Sequence, residues 1–295
     1  MKTSPNLFLA AIVAMVVTAC AVIAPPTAID RLVVFGDSNV DNGNMLRFTN
    51  GRAPPPPNWK GRNSNGPNVA EYLAQRLAAK HDNYAMSGAL SGEQNIVARL
   101  VPDLAATVGN TGVSWQIGVF TKDGNPLGPR DVVILWAGSN DIFGVKRADS
   151  ELLDRQIAQA TRNIESALDL LAGLGAGRIV VATRSPREAL ENENDLNGID
   201  LNRAIVAMAK RVSARSSAKI VVFDAYASIR DMMLNPSRYG FVQVNALCVS
   251  VPECVGERFD NGLKVADGYI NWDAVHKTTR VHRLMAEQLE RLLRE

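Results

Sequence analysis

Short apolar runs alternate along this chain with longer stretches in which apolar residues recur every three or four positions. Leu32-Val33-Val34-Phe35 is the first run, and its length and β-branched content predict a buried strand over Arg31 to Phe35. Val132-Val133-Ile134-Leu135-Trp136 makes Asp131 to Ala137 the clearest strand of all. Arg178 to Ala182 and Ala218 to Phe223 repeat the pattern, and Asp82 to Met86 reads as a shorter strand. Pro67 opens a helix through Ala79, with Val69, Tyr72, Leu73 and Leu77 on one face. Residues 95–108 and 113–122 read as helical. A long helix runs from about Ser150 to Leu174, with Glu151 in its first turn and a Gly-rich exit. Leu201 to Ser213 and Val281 to Leu293 are the remaining helices.

Strands that alternate with helices predict a parallel sheet covered on both faces. No internal repeat and no linker interrupts the pattern, so one domain is expected over residues 31–295. The segment 49–68, with Pro54-Pro55-Pro56-Pro57, reads as a surface loop. Residues 184–200, rich in Glu, Asn and Asp, read as a solvated insertion. Ser237 to Gly268 reads as irregular.

Composition narrows the function classes. Apolar residues make up 46% of the 295 positions, enough for a full core. The net charge is +2, with both signs interspersed, and no basic stripe points to nucleic acid. The first residues differ from the rest. Lys2 gives a basic start, and Leu7 to Val17 is apolar and uncharged, the shape of a secretory signal. A signal peptide is therefore expected over residues 1–19 and a tether over 20–30. Val17-Thr18-Ala19 before Cys20 resembles a bacterial lipobox, which implies cleavage before Cys20 and its lipidation, and hence membrane anchoring in the bacterial cell envelope. Ordinary cleavage after Ala21 or Ala24, giving a freely secreted product, is the alternative. Export brings an oxidising compartment, in which Cys248 and Cys254 are expected to close a small disulfide loop rather than stay free.

The candidate chemistry follows the strands. In open parallel sheets the loops at the carboxyl ends of the strands build the site. Gly36-Asp37-Ser38-Asn39 follows the first strand, Ser87-Gly88 the second, and Gly138-Ser139-Asn140-Asp141 the third. A serine hydroxyl needs a base to remove its proton. His276 lies three residues after Asp273, a spacing that lets the carboxylate fix the imidazole tautomer and leaves the other ring nitrogen free for Ser38. His81 and His282 lack a matched acid and read as structural or surface groups. The backbone N–H groups of Ser38 and Gly88 and the side-chain amide of Asn140 are candidate oxyanion donors. Each alone has a plainer reading: a turn glycine, an Asx cap, a helix-start histidine. Trp59, Trp115 and Trp136 read as packing rather than as sugar platforms. Asp37, Asn39 and Asp41 alternate as in a calcium loop. The loop fails because Asn42 stands where glycine is required and Phe48 where the closing acid is required.

These segments resemble the conserved blocks of the GDSL, or SGNH, hydrolase family. Gly36-Asp37-Ser38 resembles the first block, Gly88 the glycine of the second, Gly138-Ser139-Asn140-Asp141 the third and Asp273-Ala274-Val275-His276 the last, in family order. The resemblance implies a flavodoxin-like three-layer α/β/α sandwich with a central, mainly parallel five-stranded sheet. It implies ester hydrolysis through an acyl-serine intermediate, with Ser38 as nucleophile, His276 as base and Asp273 as its orienting acid. Ser38, Gly88 and Asn140 then form the oxyanion hole, with no metal or cofactor. The substrate is expected to be a small-molecule, lipid or glycan ester. A carbohydrate acetylesterase is the alternative enzyme, and a binding protein on the same fold is the alternative class. Two positions depart from the family pattern: Asn39 where Leu is usual, and Lys277 where Pro often follows the histidine.

Overall fold

The computed structural model describes residues 29–124, 126–256, 259–260 and 263–295. Five strands form the central sheet: β1 (Arg31–Gly36), β2 (Lys80–Asn83), β3 (Asp131–Trp136), β4 (Arg178–Ala182) and β5 (Lys219–Phe223). Their spatial order is β2-β1-β3-β4-β5 and every pairing is parallel. This is the doubly wound order of flavodoxin-like sheets, with β1 and β3 adjoining at the switch point.

Alternation along the strands divides the core into two layers. Leu32 and Val34 of β1, with Val132, Ile134 and Trp136 of β3, face the helices Val69–Leu77, Ala225–Leu234 and Thr279–Arg294. Val33 and Phe35, with Val133 and Leu135, face Val113–Lys122, Ser150–Gly173 and Glu193–Ser213. Burial on both faces explains why β1 and β3 read as continuous apolar runs rather than alternating ones.

Several elements differ from expectation. The second strand is Lys80–Asn83, not Asp82 to Met86. It lies at the sheet edge, where backbone pairing to β1 holds it and no apolar face is required. Ala85 and Met86 are buried beyond it, in the loop toward the site. The helix expected over 95–108 is broken into short turns at Pro102, which cannot continue a helical ladder. Half of the expected insertion 184–200 belongs to the helix Glu193–Ser213. Asn192 caps that helix, accepting from the Asp195 N–H. Asp195 and Asn197 are buried there with partners: Asp195 Oδ2 accepts from Tyr226 Oη at 2.9 Å, and Asn197 Nδ2 donates to the Val145 carbonyl at 3.0 Å. Their polarity reflects tertiary hydrogen bonds, not solvent. The irregular stretch contains a strand, Gln243–Leu247, paired in parallel with Tyr269–Asn271.

The expected signal 1–19, Cys20 and the tether up to residue 28 lie outside the described residues. The last two tether residues belong to the fold. Ile29 packs on the core, and the carbonyl of Asp30 accepts from the Lys80 N–H at 3.0 Å. Among the described residues no helix is long and apolar enough to cross a membrane.

Candidate active site

The turn after β1 is forced by Gly36. Its φ is +150°, and a Cβ there would sit 2.3 Å from the Trp136 carbonyl oxygen. Only glycine lets the backbone pass β3 so closely before turning Ser38 outward. Gln116 holds this peptide from both sides: its Oε1 accepts from the Gly36 N–H at 2.8 Å, and its Nε2 donates to the Gly36 carbonyl at 2.9 Å. Asp37, fully buried, accepts from the Asn39 backbone and side-chain nitrogens at 3.0 and 2.7 Å. Asn39 therefore turns back on Asp37, and the departure from the family's Leu adds a donor to a buried carboxylate. Burial raises the Asp37 carboxyl above its ordinary range, against the pull of those two hydrogen bonds.

Ser38, His276 and Asp273 meet across 238 positions of sequence. Ser38 Oγ lies 2.8 Å from His276 Nε2. On the other side of the ring, Nδ1 lies 3.0 and 2.9 Å from the two Asp273 oxygens. Asp273 Oδ1 also accepts from the Val275 and His276 backbone N–H groups at 2.8 and 2.7 Å, which shapes the turn before the last helix. Burial would raise the Asp273 carboxyl, but the imidazole and these hydrogen bonds outweigh it and hold it at about 2. The carboxylate is thus ionised and faces Nδ1, which places the ring proton there and leaves Nε2 as the acceptor toward Ser38.

The candidate oxyanion donors come from three loops. Gly88, at φ +79°, could not carry a Cβ, which would fall 2.6 Å from Asn95 Oδ1. Among the described residues neither the Ser38 N–H nor the Gly88 N–H has an acceptor. Asn140 Nδ2 spends one hydrogen on the Ala89 carbonyl at 2.9 Å and so ties its loop to that of Gly88. The next residue, Asp141, accepts from Ser91 Oγ at 2.5 Å and from the Ser91 N–H at 3.0 Å. Burial raises its carboxyl to about 6 even so.

The sequence reading missed Asp41, Gln116 and Lys277 as supports. Asp41 is buried and accepts from the Gly43, Asn44 and Ser87 backbone N–H groups. Lys277 is also buried, and its Nζ donates to Asn271 Oδ1 at 2.6 Å and to the Arg187 carbonyl at 3.1 Å. Gln116 offered no signal, since its partner lies 80 positions away. Asp41 offered one: an Asp three residues after Ser38, followed at once by the turn residues Asn42-Gly43-Asn44 that need an acceptor. His282 is buried, and burial depresses its imidazole to about 3. His81 sits on the edge strand, lowered likewise by burial. Trp136 is sealed in the core, while Trp115 packs edge-on against Phe48. Cys248 and Cys254 are joined by a disulfide.

The profile of the GDSL-like lipase/acylhydrolases matches residues 32–289. The chain belongs to that family. It is 25% identical over 287 residues to the thermolabile hemolysin of Vibrio parahaemolyticus, covering 90% of this chain and 64% of the hemolysin. The chain thus spans a little under two thirds of that relative. It is 25% identical over 319 residues to a GDSL esterase/lipase of Arabidopsis thaliana, covering 89% of this chain and 90% of the plant protein. Among solved structures, an acetylxylan esterase from Geobacillus stearothermophilus superposes with a TM-score of 0.51 at 15% identity, over 90% of this chain and 96% of that one. That likeness shows a shared fold, the parallel sheet with helices on both faces.

Proposed function

We propose that this GDSL-family protein is a carboxylic ester hydrolase working through Ser38, His276 and Asp273. The observation that carries the reading is the 2.8 Å contact between Ser38 Oγ and His276 Nε2, with the opposite ring nitrogen held by Asp273. Nε2 takes the Ser38 proton as Oγ attacks the ester carbonyl. The carbonyl π bond opens, and the resulting oxyanion is received by the Ser38 and Gly88 N–H groups and the free hydrogen of Asn140. Collapse expels the alcohol, which takes the proton from His276, and leaves an acyl-serine. Water, deprotonated by the same imidazole, repeats the sequence and releases the acid.

A p-nitrophenyl ester assay with Ser38→Ala alongside tests this reading. Turnover by the parent protein and its loss in the variant is the expected result; equal rates would end the serine mechanism. The cleft over Ser38 is lined largely by polar side chains, among them Asn39, Ser139, Asn140 and Ser185, which suits a hydroxylated substrate. A carbohydrate acetylesterase is therefore the second reading. Esters graded by acyl length and alcohol type separate the two, because activity confined to acetylated sugars would reject a lipase.

The basic, apolar and small-residue order of residues 1–24 supports export to the bacterial envelope, with a lipid on Cys20. Incorporation of radiolabelled fatty acid, with Cys20→Ser as control, tests the anchor; an unlabelled parent protein rejects it.

A further inference from the structure

The cleft over Ser38 holds a cation that ester hydrolysis does not use. Arg187 and Ser185 line it together with Ser38 and Asn140. The Arg187 guanidinium lies over the Phe143 ring, 5.0 Å from its centroid. Its Nε is buried with no hydrogen-bond partner, and the Ser185 hydroxyl is buried with none either. Burying such donors without an acceptor is costly, and most buried polar groups in folded proteins have a partner.

The surroundings do not neutralise Arg187 by contact. Glu188 and Asp273 are the carboxylates that face it. Among the described residues neither reaches ion-pair distance. Asp273 already serves Val275, His276 and the imidazole. A second guanidinium, Arg184, lines the same cleft, and the Lys277 amino group stands nearby. The Lys277 amino group, 1% exposed as a residue, donates to the Arg187 carbonyl at 3.1 Å and so fixes the backbone that carries the guanidinium. Lys277 is also where this chain departs from the family pattern.

We propose that Arg187, with the Ser185 hydroxyl beside it, binds an oxyanion carried by the ester substrate, a carboxylate or a phosphate, so that anionic esters are preferred over neutral ones of the same size. This inference rests on the hydrolase reading above. A guanidinium presents paired N–H groups along one edge, matched to the two oxygens of a carboxylate or phosphate. Phe143 holds its plane and removes water from one face, which strengthens the attraction. A neutral hydroxyl would satisfy a donor but leave the charge uncompensated.

Matched ester pairs test the proposal in two arms. One compares 1-acetylglycerol 3-phosphate with 1-acetylglycerol, placing the anion on the alcohol. The other compares 4-nitrophenyl hydrogen adipate with 4-nitrophenyl hexanoate, placing it on the acyl group. In at least one arm the anionic member is expected to show the higher kcat/KM by about tenfold or more, chiefly through KM. That ratio is expected to fall about tenfold or more in Arg187→Gln, to recover in part in Arg187→Lys, and to shrink as salt is raised. The arm that responds identifies the source of the anion. A ratio at or below one in both arms with the parent protein overturns the proposal, and that measurement needs no variant to fold. An unchanged ratio in Arg187→Gln overturns it as well. Hydrolysis of the neutral esters without any anion preference sinks this inference alone, whereas no hydrolysis of any ester sinks the hydrolase reading.

Discussion

Asp41 Oδ2 accepts from both the backbone N–H and the hydroxyl of Ser87, at 2.7 and 2.9 Å. One buried carboxylate thereby locks the loop after β1, which carries Ser38, to the loop after β2, which carries Gly88. Asp41→Asn keeps the shape but replaces one acceptor oxygen with a donor facing other donors. It is expected to cost about 2–4 kcal/mol of stability and on the order of a hundredfold in kcat. Urea unfolding and steady-state kinetics check the two effects; a variant with parental kcat would show that this lock does not set the Gly88 donor.

Asp273→Asn should leave the fold in place and strip the imidazole of its orienting charge. The amide can present N–H toward Nδ1 and favour the wrong tautomer. A fall in kcat of roughly ten-thousandfold is expected, with KM little changed. A loss of less than tenfold would mean that the ring is oriented by other contacts.

Gly36→Ala probes the turn itself. The added methyl meets the Trp136 carbonyl at 2.3 Å, in a backbone conformation that L residues avoid. A loss of about 3 kcal/mol or more is expected from chemical denaturation. A change under 1 kcal/mol would show that β1 and β3 have room to separate.

Lys277 links stability to pH. Burial depresses its ammonium from 10.5 to about 7 in the folded chain. Between those values the unfolded chain binds more protons, so this group makes stability rise as pH rises. Its full penalty is present below about 7 and is gone above 10.5. From pH 7.5 to 9.5 the parent protein is expected to gain roughly 2–3 kcal/mol relative to Lys277→Met. Parallel stability–pH curves for the two proteins would refute the depressed value.

The disulfide between Cys248 and Cys254 closes a short loop with a sequence separation of 6. Removing it by Cys248→Ala with Cys254→Ala is expected to cost about 2 kcal/mol, the size set by so small a loop. A thermal melt unchanged by the double substitution would show that local packing alone holds this segment.

Legibility followed how far each signal travels along the chain. β1, β3 and β4 are buried apolar runs, and β5, though at the opposite edge, carries the apolar run Ile220-Val221-Val222-Phe223, so sequence alone locates them. β2 is Lys-His-Asp-Asn, an edge strand held by its backbone, and its apolar neighbours drew the expected boundary too far along. Ser38, Gly88, Asn140, Asp273 and His276 stand in short motifs, which sequence alone can single out as candidates. Asp195 and Asn197 look solvated in sequence, yet their partners, Tyr226 and the Val145 carbonyl, are distant residues that pattern cannot supply. Gln116 was missed for the same reason.

The grip of Gln116 on both sides of the Gly36 peptide carries a consequence for how such an enzyme can diverge. Its helix, Val113–Lys122, packs in the hydrophobic layer behind the sheet, and none of its residues lines the cleft over Ser38. A shift of that helix by a few tenths of an ångström would re-aim the Ser38 hydroxyl without altering a single side chain that lines the cleft. Turnover can thus drift through substitutions in the interior, while selectivity is left to the rim.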